Sequence, residues 1–361
     1  MTTRNLTRTD LAKLPNYVPG RTVPGAIKLA SNEVPYGPLP GVVEAITEAA
    51  QNVHRYPDMG VVALRDKLAD RLGVDPSRVV TGCGSVALAE HLARAACMPR
   101  DQIVYSWRSF EAYPIIAATT AAKSVKVPNT PSHGHDLIEM AKAITNRTRL
   151  VLVCNPNNPT GTSVRRAELD EFLEAVPDNV IVVLDEAYRE FVNDPEVTDG
   201  LVTYGDRRNV VVLRTLSKAW GLAGLRVGYL VADPDVADAV RKVVTPFSTS
   251  LAAQAAALAA LDAEAEMRRR CDIVIAERER VHATLSAWMP DVPESQANFV
   301  WLPLGTRAVE FAQVCEAQRV IVRPFAGDGV RVTVGTPEEN DAFLAAAESY
   351  LGPEADLSHP N

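Results

Sequence analysis

Three polar clusters in this 361-residue chain each follow a short aliphatic run, and their side chains can share one piece of chemistry. The most informative contains Lys218, in Thr215-Leu-Ser-Lys218-Ala-Trp-Gly-Leu-Ala-Gly-Leu-Arg226, after Val210-Val-Val-Leu213. A lysine among small and hydroxyl residues can condense with an aldehyde. Thr215, Ser217 and Arg226 offer hydroxyl and guanidinium donors to a phosphate. Leu150-Val-Leu-Val153 leads into Cys154-Asn-Pro-Asn-Asn158-Pro159-Thr-Gly161, and Val180-Ile-Val-Val-Leu184 leads into Asp185-Glu-Ala-Tyr188. Alone, an Asp at a strand end is often a helix cap and a Pro/Asn run a plain turn. Together, on successive strand ends, they point to one site.

An aldehyde and a phosphate on one molecule describe pyridoxal phosphate, and the other residues suit its ring. A pyridine nitrogen withdraws electrons well when protonated, and a buried carboxylate stabilises that proton. Asp185 is the candidate. Asn158 and Tyr188 can donate hydrogen bonds to the ring's phenolate oxygen, and Lys218 is the candidate tether and general base. Thr81-Gly82-Cys83-Gly84-Ser85 falls between a strand-like and a helix-like segment, so backbone N–H groups at the helix start can bind the phosphate. By itself a Gly-x-Gly fits a tight turn equally well.

Composition bounds the alternatives. A hydrophobic share of 47% and a charged share of 23% match an ordinary soluble globular protein. A net charge of -8 argues against a nucleic-acid surface, and Arg268-Arg-Arg270 reads as a solvated helix face. Five scattered cysteines without C-x-x-C spacing fit reduced thiols in the cytoplasm. No metal is expected, and His133-Gly-His135, in a polar stretch, reads as solvent-exposed. The chain opens without a signal-peptide pattern, and no apolar run approaches the ~18 residues that span a bilayer. A soluble, intracellular protein is expected.

The elements that must position these residues are α/β. The three aliphatic runs lack polar alternation, as strands buried on both faces do, which predicts a mostly parallel, helix-covered sheet. Val79-Val80-Thr81 reads as a further strand, and helices are expected over 61–72 and 85–97. In such sheets ligands bind beyond the carboxyl ends of the strands. The expected organisation is a Pro- and Gly-rich arm over 1–33, a large domain over 34–262 and a smaller α+β domain over 263–361. The last opens on a long helix, 264–289, with strand-like runs at 299–302 and 330–334 and helices near 306–318 and 337–351.

The chain resembles the fold-type I pyridoxal-phosphate aminotransferases of the class I/II superfamily, in the histidinol-phosphate aminotransferase-like branch. The residues that carry this are Ala30-Ser-Asn-Glu33, Pro35-Tyr-Gly37, His54-Arg-Tyr56-Pro-Asp58, Asn155-Pro-Asn-Asn-Pro-Thr-Gly161, Asp185-Glu-Ala-Tyr188, Ser217-Lys218, Gly224-Leu-Arg226-Val-Gly228 and Arg331-Val-Thr-Val-Gly335. They span nearly the whole chain in the family's order. The resemblance implies that Phe110 stacks on the cofactor ring and that Tyr56 reaches the phosphate of a neighbouring subunit in a homodimer with shared active sites. It implies that Arg331 binds a substrate carboxylate and that Tyr17 covers the substrate side chain. The implied reaction is amino transfer, with 2-oxoglutarate as acceptor.

This branch acts on histidinol phosphate or on aromatic amino acids. A dianionic phosphate wants more than one cation, and Arg323 and Arg331 could serve. Only Pro324 to Val330 separates them, shorter than the connector expected of a histidinol-phosphate enzyme. Phenylalanine, tyrosine or tryptophan is therefore the expected donor and histidinol phosphate the alternative. A phosphothreonine-type decarboxylase of the same fold is a third reading. A DNA-binding regulator is disfavoured, because the short arm leaves no room for the extra module.

Overall fold

In a computed structural model, residues 6–9, 11, 14 and 20–353 of the chain are described. Among these residues twelve strands run in chain order: β1 (Ile27–Lys28), β2 (Val79–Gly82), β3 (Gln102–Trp107), β4 (Lys123–Pro128), β5 (Thr148–Cys154), β6 (Ile181–Asp185), β7 (Val210–Thr215), β8 (Gly228–Val231), β9 (Phe299–Leu302), β10 (Val320–Ile321), β11 (Arg323–Phe325) and β12 (Gly329–Thr333). Seven of them form the main sheet, ordered β2-β8-β7-β6-β5-β3-β4. Only β8 runs against its neighbours, so the sheet is mostly parallel, as the uninterrupted aliphatic runs predict. Three strands of this sheet, β3, β4 and β8, carry weaker sequence signals than the aliphatic runs. Lys123–Pro128 is a sheet-edge strand that interleaves lysines with valines, and Gly228–Val231 is short and opens on glycine.

The register places the three informative strand ends together. Cys154 lies opposite Asp185, and Asp185 opposite Leu213, so β5, β6 and β7 end side by side. Gly228, where β8 begins, pairs with both Gly82 and Thr215. The start of the helix Gly84–Ala96 is thereby brought to the loop that carries Lys218. A Cβ on Gly228 would lie 2.4 Å from the Ser85 backbone nitrogen, so this crossing requires glycine.

Helices cover both faces of the sheet, giving two buried apolar clusters, and a third cluster fills the space around the sheet β11-β12-β9. The long helix Glu264–Trp288 serves two of these. Met267, Cys271 and Val274 pack in the first cluster, while Val281 and Leu285 pack in the third. Pro337–Leu351 begins with a capping box, Thr336 and Glu339 each bonding the other's backbone N–H, with Pro337 in the first turn. Residues 27–32, read from composition as part of an extended arm, are built into the fold. β1 pairs with β10, and Leu29, Ala30 and Asn32 are buried. No helix among the described residues is long and apolar enough to cross a membrane.

Candidate active site

The ends of β5, β6 and β7 open into a cleft of about 240 Å³. Its wall contains Asn158, Asp185, Tyr188, Thr215, Ser217, Lys218 and Arg226 from the main-sheet loops, Phe110 from the loop after β3, and Arg323 and Arg331 from β11 and β12. The fold thus brings candidate residues from six separate segments to one cavity.

Lys218 is half-buried, its Nζ 3.2 Å from the carbonyl oxygen of Ser31. Burial pushes its amine down to about 7, helped by the positive charges of Arg331 and Arg226 and opposed by Glu33. Asp185 is buried, and Tyr113 donates its hydroxyl hydrogen to Oδ2 at 2.8 Å. Oδ1 is sealed from solvent with no hydrogen-bond partner among the described residues. Burial pushes this carboxyl up to about 6, against the Tyr113 bond and the Ala187 backbone N–H. A buried carboxylate oxygen without a donor is costly unless something else supplies one.

The loop after β5 divides its asparagines by task. Asn155 exchanges hydrogen bonds with the backbone of Val164, and Asn157 binds Ser109, Thr160 and the Arg108 carbonyl, so both brace the loop. Asn158 alone of the three faces the cleft, its Oδ1 accepting from Arg331 Nη1 at 2.5 Å. Arg331 Nη2 donates to the Ala30 carbonyl at 2.9 Å. The Tyr188 hydroxyl accepts from Asn32 Nδ2 at 2.9 Å, and burial holds its pKa above the ordinary range.

On the opposite wall Thr215, Ser217 and Arg226 form one cluster. Thr215 Oγ1 donates to Ser217 Oγ at 2.9 Å, which also accepts from Arg226 Nη1 at 3.1 Å. Ser85 and Val86, at the start of the helix Gly84–Ala96, line the cleft; Gly82, Cys83 and Gly84 stand just behind. Gly84 has φ +80, and a Cβ there would lie 2.4 Å from Arg226 Nη2, so the missing side chain makes room for the guanidinium. Gly82 instead makes room for Leu88.

One of the remaining expectations is corrected, and two concern residues that do not line the cleft among the described residues. Tyr56 is 82% exposed, outside the cleft, and stacks on Phe247 with ring centroids 4.6 Å apart. Tyr17 lies outside the described residues. His135 is buried and not solvent-exposed, correcting the sequence reading. Its Nε2 lies 2.7 Å from the Cys154 carbonyl oxygen, and burial pushes its pKa down to about 4, so the ring is neutral. A loop that reads as polar is folded back here against the end of β5.

Other members of the site escaped the sequence. Tyr113 was not singled out, since a tyrosine in an aliphatic helix reads as core. Asn32 lay in a quoted motif without a role. Its φ of +54 is a left-handed conformation that asparagine tolerates, and there it also bonds Thr333 through its backbone N–H and Oδ1.

The family profile described as "Aminotransferase class I and II" matches residues 24–346. The chain belongs to the class I and II aminotransferases. Among members of this family, it is 56% identical over 347 residues to an aromatic amino acid aminotransferase of Streptomyces coelicolor, covering 95% of this chain and 97% of that protein. A protein of the same name from Streptomyces avermitilis is 55% identical over 347 residues, with 95% and 97% covered. The aminotransferase fold is shared with histidinol-phosphate aminotransferase of Sinorhizobium meliloti in complex with pyridoxal-5'-phosphate. That match has TM-score 0.81 and 27% identity, and covers 91% of this chain and 90% of the other.

Proposed function

We propose that this aminotransferase uses pyridoxal phosphate tethered at Lys218 to transfer the amino group of phenylalanine, tyrosine or tryptophan to 2-oxoglutarate. The observation that carries the reading is the pairing, across one cleft, of a lysine whose amine is held near neutrality with a buried carboxylate whose Oδ1 lacks a donor. The donor set fits the cofactor. Asp185 would face the ring nitrogen, Asn158 and Tyr188 the phenolate oxygen, and Phe110 the ring face. Thr215, Ser217 and Arg226, with the helix start behind Gly82, Cys83 and Gly84, would hold the phosphate. When bound, the cofactor supplies an electron-withdrawing ring that makes the substrate Cα–H bond acidic.

The chain's own residues do the rest. Lys218 Nζ, largely neutral above about pH 7, would take the proton from the substrate Cα and hold it for delivery to the carbon that was the cofactor's aldehyde. Arg331 fixes the α-carboxylate through a two-pronged ion pair, so the reacting bond lies within reach of that amine. The identity to aromatic aminotransferases supports the choice of donor, and Val86 and Phe110 in the cleft wall offer it an apolar surface.

The active unit is a homodimer. Val53, Tyr56 and Met59 are exposed at 69%, 82% and 62%, and such apolar exposure beside the Tyr56–Phe247 stack supports a surface covered by a second copy. Tyr56 would then reach the partner's phosphate site. Five free cysteines support a reducing, cytoplasmic setting.

The test is borohydride reduction of the cofactor-loaded enzyme followed by peptide mapping, with glutamate formation from phenylalanine and 2-oxoglutarate measured in parallel. A reduced pyridoxyl adduct at Lys218 and steady glutamate production are expected. An enzyme without the adduct, or one that uses histidinol phosphate and ignores phenylalanine, overturns the reading.

A further inference from the structure

Two arginines stand side by side at the small-sheet end of the cleft. Arg323 on β11 and Arg331 on β12 are register partners in an antiparallel pair. Their guanidinium carbons lie 5.3 and 5.7 Å from the centroid of the Phe325 ring. Like charges directly across a ladder repel, so the arrangement calls for an anion. Glu111 provides it, its Oε2 accepting from Arg323 Nη2 at 2.9 Å. The side chains of Arg323 and Glu111 are 12% and 30% exposed, so water screens the pair only in part.

Glu111 reaches Arg323 from the main-sheet side. It directly follows Phe110 and occupies the N-terminal cap position of the helix Ala112–Thr119, where the helix favours a negative charge. Both Glu111 and Arg323 line the cleft. An incoming phosphate at Arg323 has two options. Sharing the guanidinium crowds a dianion against a carboxylate, and displacing Glu111 strands a poorly solvated charge beside the cleft. A phenyl or indole side chain demands neither, since it can rest against the flat face of the Arg323 guanidinium, which lines the cleft.

We infer that Glu111 is a specificity-determining residue: by matching the charge of Arg323 it tunes the cleft to amino donors with one anionic group and an uncharged side chain, against donors that carry a phosphate monoester. The inference rests on the proposed reading, because it takes Arg331 as the partner of the α-carboxylate.

The experiment compares kcat/KM for phenylalanine and for histidinol phosphate in the cofactor-loaded enzyme, in wild type, Glu111→Gln and Arg323→Gln. Calorimetry of phenethyl phosphate, which lacks a reacting amine, gives an independent affinity. Glu111→Gln is expected to move the kcat/KM ratio at least tenfold toward histidinol phosphate and to tighten phenethyl phosphate at least fivefold. Arg323→Gln, which leaves the Glu111 charge unmatched, is expected to move both in the other direction. A ratio and an affinity that stay within twofold in Glu111→Gln overturn the inference. So does Arg323→Gln favouring the phosphate, a readout that stands even if the first variant does not fold. A wild type that ignores phenylalanine overturns the proposed function itself, which is a separate outcome.

Discussion

Asp185 and Glu186 are neighbours at the end of one strand, both buried, yet their surroundings are opposite. Glu186 has its charge matched and its oxygens used. Arg214 Nε and Nη2 donate to Oε2 at 2.9 and 2.6 Å, and the Gly200 backbone N–H donates to Oε1 at 2.7 Å. Arg214 also binds Asp199 at 2.7 Å, closing an internal ion network. Asp185, one residue earlier and so on the other face of the sheet, has one hydroxyl donor on Oδ2 and none on Oδ1. Burial raises both carboxyls, but only at Glu186 does a full cation oppose it. Residue type and depth are thus nearly the same. The unused hydrogen-bonding capacity separates a carboxylate that waits for a ligand from one that holds the fold.

The largest expected effect lies across the cleft from that contrast. Lys218→Ala should lower turnover by about 10³-fold or more, the range of a lost general base, while cofactor still binds without a covalent link. Retained exchange of the substrate Cα hydrogen, followed by NMR in deuterated water, would reveal another base. The two carboxylates should then part company. Asp185→Asn should cost about 10²-fold in turnover while changing the denaturant stability of the cofactor-free protein by less than about 1 kcal/mol. Glu186→Gln should destabilise by about 3 kcal/mol, since it strands Arg214, and leave kcat/KM per folded molecule within a fewfold of wild type. The reverse pattern would assign the working carboxylate to Glu186.

The amine offers a sharper pH test. Its pKa is lowered to about 7, so the neutral, nucleophilic form dominates above that pH and vanishes below it. The rate of covalent recombination with pyridoxal phosphate, followed by absorbance, should rise through about pH 7 and then level off. An inflection above pH 9 would mean that burial does not act on Lys218 as described.

Most of this contrast can be read from the residues before any coordinates. The runs ending in Asn158, Asp185 and Lys218 are continuous aliphatic strands, and a polar residue at such an end is conspicuous. What stayed hidden depends on side-chain direction. Asp185 and Glu186 look interchangeable in sequence, and only the pleat and the position of Arg214, twenty-eight residues on, tell them apart. His135 read as surface because its loop is polar, while the fold tucks it under Cys154. Gly82 and Gly84 read as one phosphate motif, yet one accommodates Leu88 and the other Arg226. Pattern reveals which strand ends matter; it does not reveal which neighbour each small residue makes way for.

The smallest predicted effect concerns Tyr113, whose hydroxyl is the one side-chain donor to Asp185 among the described residues. Burial alone favours the neutral acid, and the Tyr113 bond works against it. In the cofactor-free protein burial pushes the folded carboxyl up to about 6, above the ordinary aspartate value of 3.8, so the native state holds the extra proton between those limits. Above about pH 6 Asp185 is ionised and ready for a cationic partner, and below it the attraction is lost. Tyr113→Phe removes the donor without altering the ring, so the carboxyl should rise further. The acid limb of cofactor affinity, measured by fluorescence titration of the cofactor-free enzyme, should move up by about one pH unit, with less than about tenfold change at pH 8. An unmoved limb together with weaker binding at every pH would make Tyr113 a packing residue and leave the Asp185 carboxylate tuned by burial alone.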